Sequence, residues 1–177
     1  MEWGRVDGVE MAHVTEAIRV QGRKNLVVQI PTRDGFDVFL TQQSGGIPAD
    51  PIALYQLTAQ LQEQVFDGQR MRIAGLRFPM VDYSAKGELS WLKGAMALGD
   101  DGRPCIVTQA AFEHRLRVNE IGARAQAAVA ICTTRGGGGP PGLEINGPFL
   151  IWFARGGVPY FSAWITGEHM KEPRNLD

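Results

Sequence analysis

Hydrophobic and polar positions alternate with two different periods along this chain. Asn25 to Ile30 and Phe36 to Leu40 are short runs rich in branched and aromatic residues, separated by Pro31-Thr32-Arg33-Asp34-Gly35. Two such runs around a polar turn ending in Gly predict a β-hairpin. Asp50 followed by Pro51 predicts a helix start: the carboxylate can accept from first-turn N–H groups, and proline lacks an N–H that this turn leaves unused. Leu54, Leu57, Leu61 and Val65 then recur at helical spacing and give one apolar face through about Phe66. From Gln69 the period returns to two, with Met71 and Ile73 on one face and Arg70 and Arg72 on the other. Ser84 to Leu98 reads as a second amphipathic helix, with Leu89, Leu92 and Met96 inward and Gly99 as its C-terminal stop.

The cleanest strand signal follows. Phe112, His114, Leu116 and Val118 alternate with Glu113, Arg115 and Arg117. Gly122 to Ala130 is nearly all small residues, and Thr133-Thr134-Arg135 leads into the glycines 136–139 and Pro140-Pro141-Gly142. Phe149 to Phe153 is a wholly apolar strand. A turn at Arg155-Gly156-Gly157 and a last strand from Val158 to Ile165 complete an antiparallel hairpin. Strands dominate, two helices interrupt them, and no βαβ repeat is visible, so the expected class is α+β with mostly antiparallel sheets.

Composition narrows the function classes. With 18 Lys+Arg against 19 Asp+Glu the formal net charge is −1, which argues against binding nucleic acid or an anionic membrane by bulk electrostatics. The longest apolar run, Pro148 to Ala154, is far short of the roughly 20 residues of a membrane span. The start of the chain lacks the apolar core of a signal peptide, so the chain as it stands is expected in the cytoplasm. Cys105 and Cys132 are too few for a disulfide framework and are expected as free thiols; no Cys/His cluster has metal-ligand spacing, so neither metal nor cofactor is expected.

An enzyme is not expected either. The Gly-rich run lacks the lysine and hydroxyl of a phosphate-binding loop, and no helix start follows it. His13, His114 and His169 are far apart, and His114, on the apolar face of its strand, reads as a hydrogen-bonded interior histidine. The unusual block is Val118 to Val129. If extended, it turns Ala123, Ala125, Ala127 and Val129 one way and Arg124, Gln126 and Ala128 the other. Such a segment can be exposed in one state and slotted into a sheet in another, because burying Ala avoids the desolvation penalty of a charge. On composition alone, an Ala-rich linker or short helix is the simpler alternative.

Several motifs in order resemble the C-terminal half of the serpins, the suicide inhibitors of serine proteases. Val118-Asn119-Glu120-Ile121-Gly122 resembles the hinge V-N-E-E-G that opens their reactive-centre loop, and the small residues after it resemble the E-A-A-A-A tract. Leu143 to Phe153 resembles the signature F-x-A-D-H-P-F-L-F-x-I, and Gly156 to Ile165 the closing strand. The resemblance implies a single serpin-like half-domain over residues 1–177, with a reactive-centre-loop-like segment at 120–142. It departs from the pattern at Ala123 (usually Thr or Ser), Arg124 (usually Glu), Gly147 and Phe112, and most of all in extent, since the N-terminal half of the fold is not in this sequence.

The resemblance also implies a mechanism. The loop is bait, is cut by a protease, and inserts as a strand beside Phe112–Val118. Counting from the hinge glycine points to Gly136, and Arg135 is the basic side chain beside it. A trypsin-like serine protease cutting at Thr134-Arg135-Gly136 is therefore the expected partner. Glu120, Gly122, Ala123, Ala125 and Ala127 form the expected hinge, with Glu120 paired to Arg77. A missing N-terminal half or a homo-oligomer is a further expected partner, and a secreted parent protein would place the chain outside the cell. The competing reading is a non-inhibitory serpin-like half-domain that binds or self-assembles through unpaired sheet edges.

Overall fold

The computed structural model describes residues 8–32, 35–88, 90–98, 100, 102–118 and 140–173. Its centre is a sheet of six strands in the order β13-β12-β4-β3-β2-β5. The strands are β2 (Glu16–Arg19), β3 (Val27–Pro31), β4 (Asp37–Gln42), β5 (Gln69–Arg72), β12 (Phe149–Arg155) and β13 (Val158–Ile165), and every pairing is antiparallel. The two expected hairpins are both here. β3 pairs with β4 from Val27↔Thr41 to Pro31↔Asp37, and β12 pairs with β13 from Phe149↔Ile165 to Arg155↔Val158, with a bulge at Phe153/Ala154.

β12 is apolar from Phe149 to Ala154 because both of its faces are covered there. Phe149 and Ile151 point into one core cluster, while Leu150, Trp152 and Ala154 point into another. The second cluster is closed by the helix α1 (Pro51–Phe66), whose Leu61 and Val65 pack on Ile18, Val27, Phe39 and Trp164. α1 begins as its sequence predicts: Asp50 accepts from the N–H of Ala53 at 2.8 Å, and Pro51 follows the cap. Trp152 donates its indole N–H to Gln62 Oε1 at 2.8 Å inside this interface.

The opposite face of the central sheet is covered by two smaller sheets. One has the order β1-β6-β11, from β1 (Gly8–Met11), β6 (Leu76–Pro79) and β11 (Leu143–Glu144), and it contributes Val9, Leu76 and Phe78 to the first cluster. The other is a ribbon of β7 (Val81–Glu88) and β10 (Ala111–Val118), which contributes Val81 and Leu116.

Two expectations are corrected. The second helix over Ser84 to Leu98 does not form: Ser84–Glu88 belong to β7, Ser90–Leu92 make a single 3-10 turn, and Met96–Leu98 form β8, paired with β9 (Pro104–Ile106). Gly87 and Gly94 would each cost such a helix about 1 kcal/mol relative to Ala. Gly94 moreover has φ of +89°, outside the helical region. The strand ladder to β10 supplies partners for 84–88 that a helix here would forgo, and Met96, expected inward, is 77% exposed. His114 is likewise exposed rather than interior; its ring lies 5.8 Å from that of Phe161.

Candidate functional site

β7 and β10 form the ribbon whose last described residue, Val118, leads toward the expected bait segment. They run antiparallel in unbroken register, from Ala111↔Glu88 to Val118↔Val81. The strong alternation of β10 assigns its two faces. On the inner face Leu116 is buried and Val118 packs against the core, opposite Tyr83 and Val81. On the outer face Glu113 binds Lys86 at 3.1 Å and also Arg115, and Arg117 lies 3.6 Å from Asp82. Hydrogen bonds from Lys86 and then Arg115 hold the Glu113 carboxyl below its usual range.

β7 is backed by the chain's C-terminal tail. The N–H of Asp82 donates to the carbonyl of His169 at 2.9 Å, and the His169 ring stands edge-on to Tyr83 with centroids 5.0 Å apart. His169 Nδ1 accepts from the N–H of Thr166 at 3.1 Å, which places the ring proton on Nε2. Burial pushes the His169 imidazole pKa down, and burial pushes the Tyr83 phenol up. Sequence reasoning did not connect His169 to this ribbon, because the contact joins positions 83 and 169 and has no local signature.

Of the expected site residues, Glu120, Gly122, Ala123, Ala125, Ala127, Thr134, Arg135 and Gly136 lie outside the described residues. What is described is how the chain approaches and leaves them. Val118, at the end of β10, is paired with Val81 at the start of β7. On the far side, Pro141 accepts from the N–H of Ala74 at 3.1 Å, and Leu143 donates to Gly75 at 2.9 Å as β11 joins β6. The described chain on either side of residues 119–139 is thus tied to one short stretch, residues 74–81. Arg77, the expected partner of Glu120, stands exposed in that stretch on β6, with Glu10 and Glu144 as its cross-strand neighbours. It lies four residues before Val81, on the strand preceding β7 rather than on the ribbon itself. The outer edge of β10 has no strand partner among the described residues.

The fold has counterparts among solved structures. Serpin48, described as a highly specific serpin in the insect Tenebrio molitor, matches 90% of this chain over 45% of its own, with a TM-score of 0.51 and 11% identity. Native protease nexin-1, crystallised with heparin, matches 90% of this chain over 46% of its own, with a TM-score of 0.57 and 11% identity. The fold is serpin-like. The chain spans slightly less than half the length of these serpins, so the match is to a partial serpin-like fold, mostly antiparallel with one helix. No family model matches the chain, and no curated protein matches its sequence.

Within the serpin-like half, among the described residues, no group of three His, Cys, Asp or Glu could hold a metal ion, and no helix is long and apolar enough to cross a membrane. Cys105 is a free, exposed thiol on β9; Cys132 lies outside the described residues. What the ribbon offers is backbone: an eight-residue strand with one edge unpaired among the described residues, an inner face that buries Leu116 and a charged outer face.

Proposed function

We propose that this chain is a serine-protease inhibitor of the serpin type, with residues 120–142 as bait, in a single half-domain over 1–177. The observation that carries the reading is the frame around the bait: the described chain on either side of residues 119–139 is tied to residues 74–81, beside a strand whose outer edge has no partner among the described residues. A trypsin-like protease reads Arg135. Its serine oxygen attacks the Arg135 carbonyl carbon, the Arg135–Gly136 amide breaks, and the Gly136 nitrogen leaves as the protonated amine, so that Arg135 remains as an ester on the enzyme. The freed segment then pairs with β10. Ala123, Ala125 and Ala127 take the inner face, where only small apolar side chains avoid a desolvation cost, and Arg124 stays with the charges of the outer face. Glu120 would pair with Arg77 at the base of the hinge. The chain is not read as an enzyme, and no cofactor enters the mechanism.

A second reading is favoured by the exposure of Met96 at 77%, Leu98 at 78% and Ile106 at 62% on the β8–β9 hairpin. On that reading the half-domain binds or self-assembles without trapping anything. Incubation with trypsin at a near-equimolar ratio, followed by a denaturing gel and mass spectrometry, separates the two. A denaturant-resistant complex with the loop cut after Arg135 is the expected result. Clean cleavage with no complex leaves the binding-module reading, and an uncut loop removes the bait altogether.

A further inference from the structure

The β8–β9 hairpin is a small sheet that the described residues leave uncovered. Met96 pairs with Ile106, Ala97 with Cys105 and Leu98 with Pro104, and all six residues are exposed. Residues paired directly across a ladder share a face. One face of the hairpin therefore carries Met96, Leu98, Pro104 and Ile106, and the other carries Ala97 and Cys105. Leu98 and Met96 are the two most exposed large hydrophobic residues described. At the base, the N–H of Gly94 donates to Val107 and the N–H of Val107 to Ala95, each at 2.9 Å. A two-stranded ribbon of this kind is marginal in water unless its apolar face is packed against something.

The charges along the hairpin say what that something is. Its turn, residues 99–103, carries Asp100, Asp101 and Arg103, two carboxylates against one guanidinium. From Leu89 to Phe112, Lys93 is the only charged residue outside that turn, and it stands exposed at the base. The hairpin is thus acidic at its tip, basic at its base and apolar on the face between them. Two such faces laid together in opposite directions match apolar to apolar and acid to base.

We propose that the apolar face of β8–β9 docks on the same face of a second copy of this chain, antiparallel about a two-fold axis. The acidic turn of each hairpin then lies over the base of the other, where Lys93 stands. A lipid surface suits this hairpin less well, because the carboxylates of the turn would have to enter it first. Pairing edge to edge is a different arrangement with a different signature. β9 against β9, centred on Cys105, would set that thiol opposite itself at about 4.5–5.5 Å between Cα atoms, within disulfide reach. Packing face to face turns the two thiols away from each other. Four apolar side chains from each copy are far fewer than the roughly 20–30 residues a side of a standard interface, so the dimer is weak, with a Kd of about 0.1 mM. The proposal deepens the self-assembly reading and rests on it. Trapping of a protease through residues 120–142 neither requires nor forbids it.

The test is sedimentation of the whole chain from about 5 μM to about 1 mM, a range that brackets this Kd. Cys132→Ser is included so that Cys105 is the sole thiol. A reversible monomer–dimer equilibrium is expected. Leu98→Lys should weaken it at least about tenfold with the melting temperature unchanged, because the residue packs on nothing in the monomer. Lys93→Glu and Asp100→Lys should each weaken it about threefold, and the two together should restore the parent affinity. Mild oxidation of the dimer should give no Cys105–Cys105 disulfide. The proposal fails if the chain stays monomeric at the highest concentration, or if Leu98→Lys leaves a dimer intact. It also fails if the disulfide forms rapidly, which would report edge pairing, or if the charge-swapped double variant is weaker than either single one. Trypsin should give the same products from Leu98→Lys as from the parent chain, so loss of the dimer and loss of trapping are read separately.

Discussion

Gln62 is 3% exposed on the buried side of α1, a polar residue in a cluster of Leu, Val, Phe and Trp, and it is there because Trp152 needs an acceptor. Gln62→Leu should therefore destabilise the chain by about 1–3 kcal/mol, read from urea unfolding, although leucine is the more apolar residue. Adding Trp152→Phe, which removes the stranded donor, should recover part of that loss; if the double variant is no better than Gln62→Leu, the hydrogen bond is not the reason. His169 makes a pH-dependent contribution. Burial lowers its folded pKa, so below about pH 6.5 the unfolded chain binds the proton first. Stability is then full above that pH and is lost as pH falls through the folded value. Glu168 draws the pKa back up and Lys171 adds to the fall, but burial dominates. His169→Gln should flatten the dependence of unfolding free energy on pH between about 7.5 and 5.5, where histidine titrates and most carboxylates do not. Equal slopes in both proteins would sink the assignment.

Elements were legible where one local cause decides them. Asp50 and Pro51 start α1 where the sequence places them, and Asp50→Ala should cost about 1 kcal/mol, measured by thermal or urea unfolding, because the Ala53 N–H loses its acceptor. A neutral effect would mean water replaces the cap at no cost. The hairpins β3–β4 and β12–β13 were legible for the same reason: a β-type run, a turn and another run lie adjacent in sequence. Ser84 to Leu98 was not legible, because leucine and methionine at helical spacing outweighed Gly87 and Gly94 when read locally. What decided it was register with Ala111–Val118, a non-local pairing that no window of the sequence contains. His114 was misread for a related reason. Alternation puts it on the inner face of β10, but of the described side chains on that face Leu116 and Val118 reach the core while His114 stays exposed. In the candidate site, the motifs that resemble a serpin hinge and reactive-centre loop lie outside the described residues, whereas the His169–Tyr83 buttress and the tie of β11 to β6 exist only once the chain is folded.

At the scale of the molecule, the length of β10 limits what insertion can do. Its eight residues, at about 3.4 Å each, offer roughly 27 Å of edge. A segment of equal length that starts after the hinge glycine runs from Ala123 to Ala130, so residues from Ile131 to Arg135 overhang the ladder. The inward positions within the ladder are 123, 125, 127 and 129, and the same alternation places Thr133 on that face but past its end. Cleavage at Arg135 should therefore raise the melting temperature of the chain. Ala123→Arg, Ala125→Arg or Ala127→Arg should each abolish that rise and convert the chain into a plain substrate, because each forces a charge worth several kcal/mol of desolvation into the core face. Thr133→Arg should leave the rise intact. Calorimetry of the intact and cut forms of each variant reads both halves of this pattern. A rise that survives Ala125→Arg would mean that the cut segment does not enter beside β10. A rise abolished by Thr133→Arg would mean that the ladder extends beyond β10, onto a strand that this half of the fold does not provide.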